Sequence, residues 1–321
     1  MAPALSPRTV YLDWSTLCNA FKGTEHLAGP RVEFQRLHEI VEALAATGRL
    51  CLSPSHISEL LIWRPQQAAL RMAKWLDELR PAWIRAFTPL IDEELRWWLN
   101  SELRLPQQSS YAPFVANLSS AFAHWTGPDT PHIPTIEGFV RYAHEHPSVP
   151  ESREHALQCF QRLHADRTLV AGEHSQAEVG RCLRIKFQQL LVQRAQTLNL
   201  RHLNGAKVSA AELPALVGGV VDREESVPCN RLISAVIGDL AAGVTAQQSD
   251  SARFRDRYSS MGYDLQHLCG GAYCDVFTCD RRVDQAIGEF RERRGLGRQL
   301  SMAGRAGEEF VEALSRLISA T

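Results

Sequence analysis

The opening 65 residues alternate short apolar strands with amphipathic helices, and that alternation leaves few folds open. Thr9 to Leu12 carries β-branched and aromatic residues and ends at Asp13; Arg49 to Leu52 is a second short apolar run and ends at Ser53-Pro54. Between them Phe34, Leu37, Val41 and Leu44 recur at helical spacing over residues 32–46, and Gly48 supplies a stop. Ser53-Pro54-Ser55 offers a cap and a proline for a helix start, so Ile57 to Trp63 reads as helix. Strand, helical crossover and strand in that order imply parallel pairing, because a parallel neighbour needs a long return connection. The segment between Asp13 and Val32, with Gly23, Gly29 and Pro30, reads as a loop.

The same grammar returns only near the carboxyl terminus. Gln66 to Leu79 has a helical pattern, and Trp83 to Phe87 reads as a third strand between Pro81 and Pro89. From residue 90 to 249 there is almost no strand signal. Helical pieces recur there instead, among them Asp92 to Leu103, Tyr111 to Trp125, Ile136 to Glu145 and Glu178 to Leu198, separated by breaks such as Gly218-Gly219. Tyr263 to Tyr273 then reads as helix, Cys274 to Cys279 as a strand running into Asp280, Val283 to Arg294 as helix and Ala306 to Ser319 as a closing helix. The expectation is a split α/β domain over residues 1–89 plus 250–321, with an α-helical insertion over residues 90–249.

Charge and composition narrow the partners. With 35 basic against 36 acidic residues and a net charge of −1, no global basic excess advertises nucleic acid, so such a partner has to meet a local patch. No apolar run approaches the roughly 18 residues of a membrane span. The amino-terminal residues lack the basic-then-apolar pattern of a secretory signal. The 8 cysteines are scattered, several in apolar runs, which reads as reduced thiols in a cytoplasmic chain.

Four carboxylates stand where the inferred sheet puts them on one edge. Asp13 and Asp280 end strands, while Glu59 and Asp264 lie in the first turns of helices that begin at the same edge. In open parallel sheets functional groups collect outside the carboxyl ends of the strands. Four converging carboxylates repel one another, and a hard divalent cation such as Mg²⁺ or Mn²⁺ relieves that repulsion. One such ion can activate a water, and two can clamp both oxygens of a phosphodiester displacement. Each acid also has a plain structural use: Asp264 as a helix cap, Asp13 and Asp280 in turns, Glu59 on a solvated helix face.

The segments VYLDWSTL (10–17), SPSHISELL (53–61) and DLQHLCGGAYCDVFTCDRR (264–282) together resemble the PIN-domain nucleases. The resemblance covers the two outer segments, about half the chain, and does not extend over residues 90–249. It implies a PIN-like parallel-sheet, three-layer α/β/α domain in which Asp13, Glu59, Asp264 and Asp280 are both the metal-binding and the catalytic residues. It further implies accessory roles for Ser15 after the first acid, for Thr278 as the hydroxyl supporting the last acid, and for Asp275 and His267. The implied activity is that of a Mg²⁺- or Mn²⁺-dependent endonuclease acting on RNA rather than DNA. A protein inhibitor or antitoxin, and a homo-oligomer, are partners that fit the same family.

Arg281 and Arg282 follow Asp280 directly and begin a basic patch that continues through Arg291, Arg293, Arg294 and Arg298. A phosphate backbone entering an acidic cup needs such neutralising neighbours. Trp97-Trp98 and Trp125 are candidates for base stacking, although tryptophans in a helical lobe more often fill a core. Cys269, Cys274 and Cys279, five apart, are at the loose end of the spacing that structural zinc sites favour, and strand and helix would point the thiols apart. Two other readings fit the residues: a PIN-like module that binds nucleic acid or protein without cutting, and a metal-dependent phosphatase acting on small molecules.

Overall fold

The computed structural model describes residues 9–24, 31–63, 65–105, 113–122, 133–145, 185, 188–189, 191–222, 266–268, 270–279, 300–303 and 308–319. Six strands form one sheet: β1 (Val10–Tyr11), β2 (Leu50–Leu52), β3 (Ala82–Ile84), β4 (Phe114–Val115), β5 (Val276–Cys279) and β6 (Leu300–Ala303). Their order across the sheet is β4-β3-β2-β1-β5-β6. All neighbours are parallel except β4, which runs antiparallel on the outer side of β3. From β1 the chain steps through β2 to β3 on one side, and β5 and β6 then pair on the other. The strand order therefore reverses between β1 and β5, which opens a crevice at their carboxyl ends.

The alternation of strand side chains feeds two cores. Tyr11, Cys51, Ile84, Phe277 and Cys279 face one side and pack with α5 (Phe87–Glu102), the segment 191–200, α8 (Leu213–Asp222), Leu268, Ala272 and Cys274. Val10, Leu12, Leu50, Leu52, Trp83 and Val276 face the other side. There they meet α1 (Trp14–Lys22), α2 (Val32–Ala46), α3 (Pro54–Ile62), α4 (Gln66–Leu79), α6 (Leu118–Ala121), α7 (Ile136–Glu145) and α9 (Glu308–Ser319). The strands are apolar at nearly every position because both faces are covered, as parallel sheets require. Each fully buried Leu or Val contributes about 1.5–3 kcal/mol, so these short strands are held by their helices rather than by their few ladder bonds.

Several expectations are met closely. Helices α2, α4 and α7 have the bounds that periodicity gives, and β1, β2 and β5 lie within the expected strands. Others are corrected. The expected loop after Asp13 opens as helix α1, whose Leu17, Ala20 and Phe21 enter the core at helical spacing. The third strand ends at Ile84, and Phe87 starts α5 instead of closing the strand. Tyr111 to Trp125, expected as one helix, contains β4 and the single turn α6. Strand β6 is not among the expected elements. Gly218-Gly219 lies inside α8 rather than breaking a helix: a Cβ at position 218 would come within 3.1 Å of the Gln188 amide, so the missing side chain lets α8 pack closely.

The described part of residues 90–249 is joined to the α/β elements. Strand β4 extends their sheet, α5 and α8 cover one face of it, and α7 covers the other. The Asp77 carboxylate at the end of α4 accepts the first backbone N–H groups of α7, from Ile136 at 2.7 Å and Glu137 at 2.9 Å. Those donors have no partner within their own helix, so the acid fixes where α7 starts. Burial pushes the Asp77 carboxyl above its usual range, against the pull of the two N–H groups. Among the described residues no helix is long and apolar enough to cross a membrane.

Candidate functional site

Asp13 follows β1 and takes the N-cap position of α1 with extended backbone. Its side chain does not cap the helix. It is gripped by hydroxyls: Ser15 Oγ donates to Oδ2 at 2.5 Å, while Thr16 Oγ1 and Thr278 Oγ1 donate to Oδ1 at 2.5 Å each. Thr278 Oγ1 also accepts the Asp13 backbone N–H at 2.8 Å. The carboxyl ends of β1 and β5 are thereby tied together at the point where the strand order reverses. A carboxylate has about four lone-pair sites. Three are taken by neutral donors, and among the described residues no cation pairs with Asp13. The group is fixed in direction by neutral donors, as a ligand for a hard cation should be.

Glu59 sits one turn into α3, and its direction is set from the other side of the sheet. His267 Nε2 lies 2.7 Å from Glu59 Oε2. His267 Nδ1 lies 2.7 Å from the Tyr11 hydroxyl, which lies 2.7 Å from Ser53 Oγ. Tyr11 is wholly buried, and the His267 side chain is only 7% exposed. Burial pushes the imidazole down to about 4, against the pull of the Asp13 carboxylate. The ring reaches Tyr11 because of two glycines. A Cβ at Gly270 would lie 2.4 Å from Tyr11 Cε2, and one at Gly271 would lie 2.6 Å from Phe277 Cγ. Only a bare backbone can lie this flat on the sheet, and His267 is carried down with it. Ser55 Oγ, at 3.4 Å from Gln266 Oε1, adds a second link between α3 and this segment.

A second buried histidine joins the two acid-bearing elements. His56 Nδ1 accepts the Ser53 backbone N–H at 3.0 Å, and His56 Nε2 donates to the Leu12 carbonyl at 2.7 Å. One nitrogen accepts and the other donates, so the ring is neutral with its proton on Nε2. Burial, with the neighbouring His267 adding, pushes it down to about 3. His56 thus closes the cap of α3 and ties that helix to the residue before Asp13. The His56 and His267 rings meet edge-on, with centroids 4.6 Å apart.

The Cys18 thiol registers both acids. It is pushed up to about 12 by burial, with the Glu59 and Asp13 charges adding and Lys22 opposing. It is therefore a protonated thiol and no nucleophile, and it marks Asp13 and Glu59 as parts of one electronegative region. Trp14, bulky for a residue beside such an acid, packs edge-on against Trp63 with centroids 5.8 Å apart.

The site residues expected from sequence divide into four groups. Asp13, Ser15 and Thr278 form one hydrogen-bonded unit, and Glu59 and His267 form another. Thr278 was expected to support the last acid, but its hydroxyl serves the first. Asp275 is not in the site. Its carboxylate accepts the Thr9 backbone N–H at 2.7 Å and the Thr9 hydroxyl at 3.0 Å, at the amino ends of β1 and β5. A four-residue strand, roughly 13 Å at 3.3 Å per residue, separates it from the Asp13 edge. It is a clasp between strands because it precedes β5 rather than following it. Asp264, Asp280, Arg281 and Arg282 lie outside the described residues, as do Arg291, Arg293, Arg294, Arg298 and Trp125. Among the described residues no group of three or more His, Cys, Asp or Glu side chains is placed to hold a metal ion. Of the four acids expected at the site, Asp13 and Glu59 are the two within the described residues. Trp97 and Trp98 pack edge-on with centroids 4.6 Å apart, and Trp98 lies against the core.

Sequence reasoning missed Tyr11, Thr16, Ser53 and His56. Tyr11 and His56 read as ordinary strand and helix residues; a histidine three residues after a serine that precedes a proline is the available sign of a side chain closing the helix start. No protein-family model, no curated protein and no solved structure matches this chain.

Proposed function

We propose that this chain is a PIN-like endonuclease that hydrolyses phosphodiesters, RNA in preference to DNA, with Mg²⁺ or Mn²⁺. The observation that carries this reading is the hydroxyl-gripped Asp13 at the strand reversal, in the same electronegative region as the histidine-oriented Glu59. Asp13 and Glu59 would hold the cation, with Asp264 and Asp280 completing the ligand set by the sequence pattern. When bound, the cation supplies charge neutralisation and an activated water. The chain's own part is to aim two carboxylates: the hydroxyls of Ser15, Thr16 and Thr278 fix Asp13, and the buried imidazole fixes Glu59. Arg281 and Arg282 would neutralise the phosphate backbone as it enters.

The test is cleavage of a labelled mixed RNA pool, and of single-stranded DNA, by purified protein in Mn²⁺ or EDTA. Asp13→Asn and Glu59→Gln are expected to remove metal-dependent cutting, each by at least about 100-fold, as loss of a transition-state-stabilising group does. No cutting, together with no calorimetric Mn²⁺ binding, would leave a PIN-like interaction module in place of an enzyme.

A further inference from the structure

We infer that Tyr11 and His267 are positioning residues for Glu59, acting through a hydrogen-bond relay of fixed direction that begins at Ser53. The inference rests on the reading of Glu59 as a cation ligand for its consequence, but the relay itself can be tested without any cation.

The direction follows from what each group can give. Ser53 Oγ lies 2.7 Å from the Tyr11 hydroxyl, and its proton is the one that hydroxyl accepts once Tyr11 gives its own to His267. The Tyr11 hydroxyl, receiving that proton, donates its own to His267 Nδ1 at 2.7 Å. His267 then carries its proton on Nε2 and donates it to Glu59 Oε2 at 2.7 Å. An ionised carboxylate only accepts, so every proton in the row is assigned from its carboxylate end. His56 takes no part in the row, because both its nitrogens are engaged by backbone groups. The links from Ser53 to His267 are buried and the last is part-buried, so water does not replace a lost member. Groups that orient a metal-ligating carboxylate in this way commonly govern metal affinity about 10- to 100-fold.

Two measurements test the relay. Long-range proton–nitrogen correlation spectra of the uniformly labelled wild-type protein read the His267 tautomer, with His267→Gln identifying its signals by difference. Proton on Nε2 with a bare Nδ1 is expected; any other pattern overturns the relay. Calorimetric Mn²⁺ titrations then compare wild type, Tyr11→Phe, His267→Phe and His267→Gln, each checked for folding by circular dichroism. His267→Phe is expected to weaken binding about 10- to 100-fold and Tyr11→Phe about 10-fold. His267→Gln, which keeps a donor for Glu59, is expected to stay near the wild-type value. A folded His267→Phe that binds Mn²⁺ like the wild type overturns the positioning role. Should His267→Phe fail to fold, Tyr11→Phe and the wild-type tautomer decide. A wild type with the expected tautomer but no Mn²⁺ binding removes the nuclease reading and leaves the relay standing.

Discussion

Replacing Gly270 with alanine tests whether the 266–271 segment lies on the sheet as closely as the site requires. The added methyl would meet three atoms of the Tyr11 side chain at 2.4, 2.6 and 2.9 Å. Ordinary carbon contacts lie at about 3.5–4.0 Å, so the overlap is about an ångström. The ring has nowhere to go: Tyr11 is fully buried and its hydroxyl is held at 2.7 Å by both Ser53 and His267. Overpacking of this kind costs about 1–3 kcal/mol, occasionally more. It is set against a gain of up to about 1 kcal/mol for alanine over glycine in a helix. The expected net is a loss of about 1–2 kcal/mol, with the helix lifted and His267 drawn away from Tyr11. Gly219→Ala is the control. That glycine is exposed in α8 with its nearest atom at 3.9 Å, so the propensity gain is unopposed and stability should rise by about 0.5–1 kcal/mol. Urea unfolding reads both, with a change in midpoint at constant slope taken as a change in stability. If Gly270→Ala is as stable as the wild type while Gly219→Ala gains stability, the close approach is absent and the placement of His267 loses its cause.

His56 titrates near 6.5 in an unfolded chain and near 3 when folded, so below pH 6.5 the unfolded chain binds a proton that the folded one refuses. Its contribution is therefore complete above 6.5 and is lost as pH falls toward 3, by up to about 1.4 kcal/mol per pH unit. Urea midpoints measured from pH 8 to pH 4 should show that slope together with the like contribution of His267, whose imidazole is pushed down to about 4, and His56→Gln should reduce the slope by about half while lowering stability at pH 8 by about 1–3 kcal/mol; an unchanged slope would refute the buried neutral ring. Thr278→Val preserves shape but strips Asp13 of one donor and leaves its backbone N–H unpaired, so stability should fall by about 1–3 kcal/mol and Mn²⁺ binding should weaken. Thr278→Ser should restore most of both, and a valine variant with wild-type Mn²⁺ affinity would remove Thr278 from the site.

Much of the frame was legible because it is written in local patterns. The apolar runs at 10–12, 50–52 and 276–279 and the helical spacing in α2, α4 and α7 are short-range signals, and the structure follows them. Helix α1 was hidden by the glycines and proline after it, although Leu17, Ala20 and Phe21 already had helical spacing. Strand β4 was hidden because two residues at an edge carry no period, and α8 because a glycine pair reads as a break until something is packed against it. In the site, Asp13 and Glu59 stood out as acids at the ends of strand and helix. Their supports did not, since Thr16, Ser53, Tyr11 and His56 are ordinary residues for the elements that hold them.

By itself the sequence determined the α/β alternation, the parallel crossovers and the edge at which Asp13 would stand, because hydrophobic period and caps act within a few residues. Tertiary structure alone decided that Asp275 clasps the amino ends of β1 and β5, that Thr278 serves Asp13, and that His267 contacts Glu59 while Tyr11 and Ser53 back its other nitrogen. Apart from the Tyr11–Ser53 link, which spans 42 positions, those contacts join residues more than 200 positions apart. They depend on strand order and on how closely two helices lie on the sheet, which no local pattern encodes.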